Sequence, residues 1–117
     1  FIYNDGTAYI YNSEGLSDVV NNKNLQLLAA TNKTLDIYKI RGNSASTYIG
    51  DSNDNNGTVN LHDKVVQKDI TINAGNVYAD SSNLEVEDVY LTSSTNTSNY
   101  STNSAKYMIF VTCNLLS

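Results

Sequence analysis

The end of the chain, Lys106 to Leu116, is the most apolar run in the sequence and limits what the rest can become. Its period-two comb of Tyr107, Ile109, Val111, Cys113 and Leu115 is that of a β-strand, and Met108 and Phe110 make its other side apolar near the start. A strand that is apolar on both faces needs cover on both. That places it in the middle of a sandwich or in a groove of a neighbouring subunit.

The remaining chain reads as further short strands. Asp5-Gly6, between Phe1-Ile2-Tyr3 and Ala8-Tyr9-Ile10-Tyr11, has the chemistry of a two-residue hairpin turn that pairs Ile2 with Tyr9; the rival reading is an extended arm, Phe1 to Tyr3, that pairs with another chain. A short helical turn fits Ser17 to Val20. Strands fit Leu25 to Ala30 and Thr34 to Ile40, joined as a second hairpin across Asn32-Lys33, and Ser44 to Ile49 fits another. Asp69 to Ala74 alternates with Ile70 and Ile72 inward. Leu84 and Val86 then lie on the opposite parity to Val89 and Leu91, so a β-bulge is expected near Glu87-Asp88. Thr92 to Ser104, almost wholly Ser, Thr and Asn, reads as a long loop. With no Pro and little helical periodicity, the pattern predicts an all-β chain: an antiparallel β-sandwich or jelly roll of about eight short strands with at most one short helical turn. A β-solenoid is the second architecture, set behind the first because no fixed repeat is visible between Thr58 and Thr92.

The 117 residues form one expected domain, 1–117, long enough to bury about two-thirds of its unfolded surface. Charged residues are only 16%, so solubility rests on Asn, Ser and Thr, a surface common on exported and virion proteins. A net charge of -5 leaves no basic stripe for nucleic acid or anionic lipid. No run is long enough to span a bilayer, and a chain beginning at Phe1 reads as a processed protein or an excised domain. The expected location is extracellular, on a cell surface or on a virion. Cys113, the single thiol, reads as a small buried residue, with an intermolecular disulfide as the alternative.

No catalytic constellation emerges, and the chain is not expected to be an enzyme. His62 has no second ligand at a metal spacing, and a Ser-His-Asp triad drawn from so many hydroxyls carries no information. Glu85 and Glu87 read as outward charges that protect an edge strand rather than as a glycosidase pair. The loop after Gly50 places oxygen ligands at Asp51, Asn53, Asp54 and, later, Asp63, the donor type a calcium ion takes. Gly50, Asp51, Asn53, Gly57, Val59, Asn60 and Asp63 follow the order of the dockerin calcium loop, which this stretch resembles over barely a tenth of the chain. An extra residue before Gly57, the lack of a second copy and a setting among strands remove any implication of cohesin binding. Apart from calcium no cofactor is expected. Lys39 and Asn114 are candidates for a Lys-Asn cross-link, with Asp36 or Asp88 as proton shuttle, although Lys39 reads equally well as a snorkelling strand residue.

Asn32, Asn56, Asn96 and Asn99 lie in N-glycosylation sequons. Nine Tyr against two Phe and no Trp put amphipathic rings along nearly every strand, either at edges and subunit seams or as a sugar platform. Two roles follow. The first is a structural subunit of an exported assembly (a pilus, thread or surface filament, or a phage or virion appendage) that forms a homo-oligomer or polymer by β-strand addition, with Phe1, Ile2, Tyr3, Ile109, Phe110 and Val111 at the subunit interface. The alternative is a carbohydrate-binding or adhesin module, with glycans as partners and calcium assistance.

Overall fold

The computed structural model describes residues 1–11, 16–51, 53–79, 83–91, 97–99, 107–110 and 114–116, the last three segments and Leu16-Ser17 by their backbone. It is all-β, and it is neither a sandwich nor a jelly roll. The chain winds as a parallel β-solenoid of about four turns. Its layers are β1 (Ile2–Asn4) and β2 (Thr7–Tyr11); β3 (Leu16–Asn21) and β4 (Asn24–Leu28); β5 (Thr34–Arg41) and β6 (Ser46–Ile49); β7 (Thr58–Leu61), β8 (Val65–Val66) and β9 (Asp69–Ile72); β10 (Asn76–Ala79), β11 (Leu84–Glu85) and β12 (Asp88–Leu91). Beyond these lie β13 (Thr97–Asn99), β14 (Tyr107–Phe110) and β15 (Asn114–Leu116). All the paired strands run parallel.

Two sheets carry three rows of stacked side chains. One sheet, in the order β2-β4-β6-β9-β12-β14, forms a single row. The other bends. Its long β5 pairs with β7 through Leu35 and Ile37 and with β8 through Ile40, so a row on each side of the bend faces the common interior. Val19, Ile40, Val65 and Leu84 stack along the second row, and Leu27, Ile49, Ile72 and Leu91 along the third, all essentially inaccessible to solvent. Most inward residues sit on an apolar residue of the layer beneath, Thr47 between Leu25 and Ile70 being an exception, and the rows form one continuous core.

The hairpins expected at Asp5-Gly6 and Asn32-Lys33 are absent: β1 pairs with β3 and β2 with β4, and β4 and β5 belong to different sheets. Asp5-Gly6 does bend the chain, but into the next face rather than back on itself. The corner groups are bonded between layers, with Asn22 N–H donating to Asn4 O and Asn24 N–H to Gly6 O, both at 2.9 Å. The helical turn expected at Ser17–Val20 is part of strand β3, with Val19 buried. The parity change at Glu87-Asp88 needs no bulge, because β11 and β12 lie on different faces with a corner between them. Lys106–Leu116 supplies two strands in different sheets, β14 and β15, instead of one central strand. Val111 and Cys113 lie outside the described residues, as does most of Thr92–Ser104, of which Thr97–Asn99 is β13.

A solenoid needs no fixed sequence period. Successive partners in the third row are Thr7, Asn24, Ser46, Asp69 and Asp88, giving steps of 17, 22, 23 and 19 residues (7 to 24, 24 to 46, 46 to 69, 69 to 88). The surplus goes largely into corners, of which Gly50–Gly57 between β6 and β7 is a long one.

One corner is held by buried amides. Asn21 Nδ2 donates to Gln67 Oε1 (2.7 Å) and to Ser46 O (2.9 Å), while Asn21 Oδ1 accepts from Asn4 Nδ2 (2.9 Å). Gln67 Oε1 also accepts from Thr47 Oγ1 (2.8 Å), and Gln67 Nε2 donates to Gly42 O and Val66 O (both 2.8 Å). Gly42 occupies the layer between Asn21 and Gln67. With no side chain there, the longer Gln67 reaches across to Asn21. A Cβ on Gly42 would lie 1.9 Å from Asn21 O, and its φ of 136° is one that residues with side chains rarely adopt.

Gly42→Ala is therefore expected to lower unfolding stability by at least ~2 kcal/mol, from backbone strain and lost amide bonds together. Gly6→Ala, where an added Cβ meets nothing within 4 Å, should stay within about 0.5 kcal/mol. Urea melts of both variants followed by circular dichroism check this contrast.

Candidate binding face

The alternation that points Ala8, Ile10, Leu25, Leu27, Thr47, Ile49, Ile70, Ile72, Val89 and Leu91 inward sends their neighbours to the outer face of the third row. Because the register is parallel and unshifted, those neighbours form straight columns. The central one reads Tyr9, Gln26, Tyr48, Thr71, Tyr90, each the direct partner of the next. A tyrosine thus stands on every second layer. The column beside it is Thr7, Asn24, Ser46, Asp69, Asp88, hydrogen-bonding groups that end in two carboxylates. Tyr9 is 61% exposed, while Tyr48 and Tyr90 are half-buried by their neighbours. Partial burial, then the charge of Asp88 and hydrogen bonding to it, holds the Tyr90 phenol above its ordinary value.

The first row carries a different cluster. Asp36 and Asn60 are register partners, and Asn60 Nδ2 donates to Asp36 Oδ1 at 3.0 Å. The same oxygen lies 2.8 Å from His62 Nε2, and Tyr38 stacks on the imidazole with centroids 4.7 Å apart. The hydrogen bond from His62, and after it that from Asn60, pulls the Asp36 carboxyl below its ordinary value. No third metal-type ligand joins the pair among the described residues.

The expected calcium donors are not brought together. Asp51 Oδ1 accepts from Asn53 N–H (2.8 Å) and Asn55 Nδ2 (3.0 Å), an Asx-type turn that uses the carboxylate locally, and exposed Asp54 adopts a positive φ of 64°. Asp63 sits in the corner between β7 and β8, where it caps Lys64 N–H and pairs with Lys39 Nζ at 3.8 Å. Lys39 is half-exposed in that ion pair, so the environment a buried cross-linking lysine needs is missing. Glu85 pairs with Lys64 Nζ at 2.7 Å and Glu87 is exposed in a corner.

Asn32 and Asn56 are exposed in corner loops, where Thr31 Oγ1 donates to Asn56 Oδ1 at 2.5 Å. Asn99 belongs to β13, and Asn96 lies outside the described residues. Phe1 and Tyr3 are 75% and 65% exposed and Ile2 is partly buried on the core, whereas Ile109 and Phe110 lie in β14 beside Tyr90 and Leu91.

Sequence reading missed the tyrosine column and the buried amides. Tyr9, Tyr48 and Tyr90 become neighbours only once the uneven layer steps are known. The amides did leave a trace: Asn4 and Asn21 each stand three residues before the start of a third-row strand, at Thr7 and Asn24. No helix among the described residues is long and apolar enough to cross a membrane. No protein-family model, no curated protein and no solved structure matches the chain.

A carboxyl held below its ordinary value of 3.8 adds stability at pH above that value and loses it as the pH falls through the lower folded value. The stability of the wild type should therefore drop below about pH 4, and Asp36→Asn should flatten this limb. At neutral pH the substitution should cost no more than about 1 kcal/mol, since the pair is partly exposed and screened. Urea midpoints measured from pH 2 to pH 7 give both quantities.

Proposed function

We propose that this β-solenoid is an extracellular, non-enzymatic module that binds carbohydrate on the outer face of its third row. The observation that carries the reading is the straight column of Tyr9, Tyr48 and Tyr90 on one sheet face. A flat ring presents a π-face to the C–H face of a sugar, while the flanking Asn24, Ser46, Asp69 and Asp88 offer partners to its hydroxyls. Such a site is built by rigid strands, so little ordering entropy opposes binding. It needs no metal.

A second reading has its own support. The most exposed large hydrophobic side chains, Phe1, Tyr3, Tyr9 and Tyr11, gather in the first layer. A layer of another subunit stacked there by main-chain hydrogen bonds would cover them, as in a filament or appendage subunit that polymerises by strand addition. Concentration-dependent oligomers seen by mass photometry, lost on Tyr3→Asp, would favour this role. A monomer at all concentrations would remove it.

For the carbohydrate reading, Tyr48→Ala should weaken glycan binding about tenfold, a loss of about 1.4 kcal/mol, while Tyr38→Ala on the first row leaves it unchanged. Glycan-array screening followed by titration calorimetry on the best ligand measures this. An array without binders would overturn the reading.

A further inference from the structure

The column also constrains the shape and charge of what it binds. Parallel strands lie about 4.8 Å apart, so rings on every second layer recur at roughly 9.6 Å and the three tyrosines span about 19 Å along the solenoid axis. In an extended β-1,4-linked chain each sugar is turned over relative to the one before it. The same face is therefore presented once per disaccharide, a repeat close to that ring spacing. Gln26 and Thr71, on the intervening layers, leave amide and hydroxyl groups where the inverted sugars would lie. A ligand along the strands would find a different surface: Tyr9 and Tyr11 share a side of β2, but the equivalent positions on β6 and β9 pair Tyr48 with Gly50 and Thr71 with Asn73. The aromatic track runs across the strands. Its edge is acidic, with Asp69 and Asp88 in adjacent layers of the neighbouring column and a net charge of -5 on the chain.

Resting on the carbohydrate reading above, we infer that the ligand is a neutral, extended β-1,4-linked polysaccharide lying parallel to the solenoid axis, one disaccharide per two layers. Its hydroxyl edge runs beside Asn24, Ser46, Asp69 and Asp88, where carboxylates accept hydrogen bonds from neutral hydroxyls and repel uronic acids.

The test is a calorimetric length series on the intact chain with neutral β-1,4-linked glucose, xylose and N-acetylglucosamine oligomers, beside a β-1,4-linked uronic acid series. Affinity for at least one neutral series should rise about tenfold from one sugar to three and again from three to five, as the second and third rings are engaged, and then level off. Tyr90→Ala should abolish the second rise and keep the first, and the uronic series should bind at least tenfold more weakly. Affinity that does not depend on length, equal binding of the uronic series, or array hits confined to branched or acidic glycans would each overturn the inference while leaving a carbohydrate-binding module. Silence across array and series would overturn both.

Discussion

The structure depends on vertical register, and the buried amides at one corner are the part of it that tolerates least error. Apolar rows exclude a one-residue slip but tolerate a slip of two, since a Leu, Ile or Val stacks acceptably on any other. Amides do not. Asn4, Asn21 and Gln67 lie at 7%, 0% and 2% exposure, and each has its donors and acceptor engaged by groups in neighbouring layers or in its own corner. Moving one layer by one residue would strand several of these groups in the interior, at about 1–3 kcal/mol each. The same slip would turn every inward side chain outward. Tyr9, Tyr48 and Tyr90 form a surface column only because register is held, so the tyrosine column and the amide corner are two outcomes of one constraint.

This division explains what could be read from the sequence and what could not. Alternation is local, and the inward positions Ile70, Ile72, Leu84, Val86, Val89 and Leu91 were all legible and are all buried. Strand direction is not local. A parallel sheet covered by helices on both faces is apolar throughout, whereas a solenoid sheet has one wet face and therefore shows the alternation usually associated with antiparallel pairs. Asp5-Gly6 then completes the resemblance to a hairpin, because the residues that reverse a chain also turn a corner. What distinguishes the two is the partner of the corner backbone, here Asn22 and Asn24 of the next layer, which the dipeptide itself does not reveal. The change of parity near Glu87 held the one local hint, since a strand that changes its buried parity without a bulge has changed faces.

The uneven layer lengths hid the architecture most completely, and they follow from the same geometry. Residues are added where the chain is outside the rows. The Gly50–Gly57 corner lengthens one layer, while β6 and β9 on either side of it remain paired residue for residue from Ser46-Asp69 to Ile49-Ile72. Some corners are tied down even so: Gly75, at a φ of 93°, passes so close to Gly57 O that a Cβ there would lie 2.4 Å from it. The corners absorb length and the rows do not.

Spacing in space is therefore independent of spacing in sequence. Tyr9, Tyr48 and Tyr90 are separated by 39 and 42 residues (9 to 48, 48 to 90), yet each pair is two layers apart. The layer spacing is set by the main-chain hydrogen bonds of the ladder, which hold neighbouring strands about 4.8 Å apart. A polymer whose own repeat is close to two such layers meets equivalent groups at each step. A loop such as Gly50–Gly57 can change in length or gain a glycan at Asn56 without shifting those steps, because it lies in a corner off the rows. An isolated pocket formed by loops has no such protection, since a change in any loop moves the groups it carries. The solenoid is a ruler whose divisions are hydrogen bonds, and the tyrosines mark every second division.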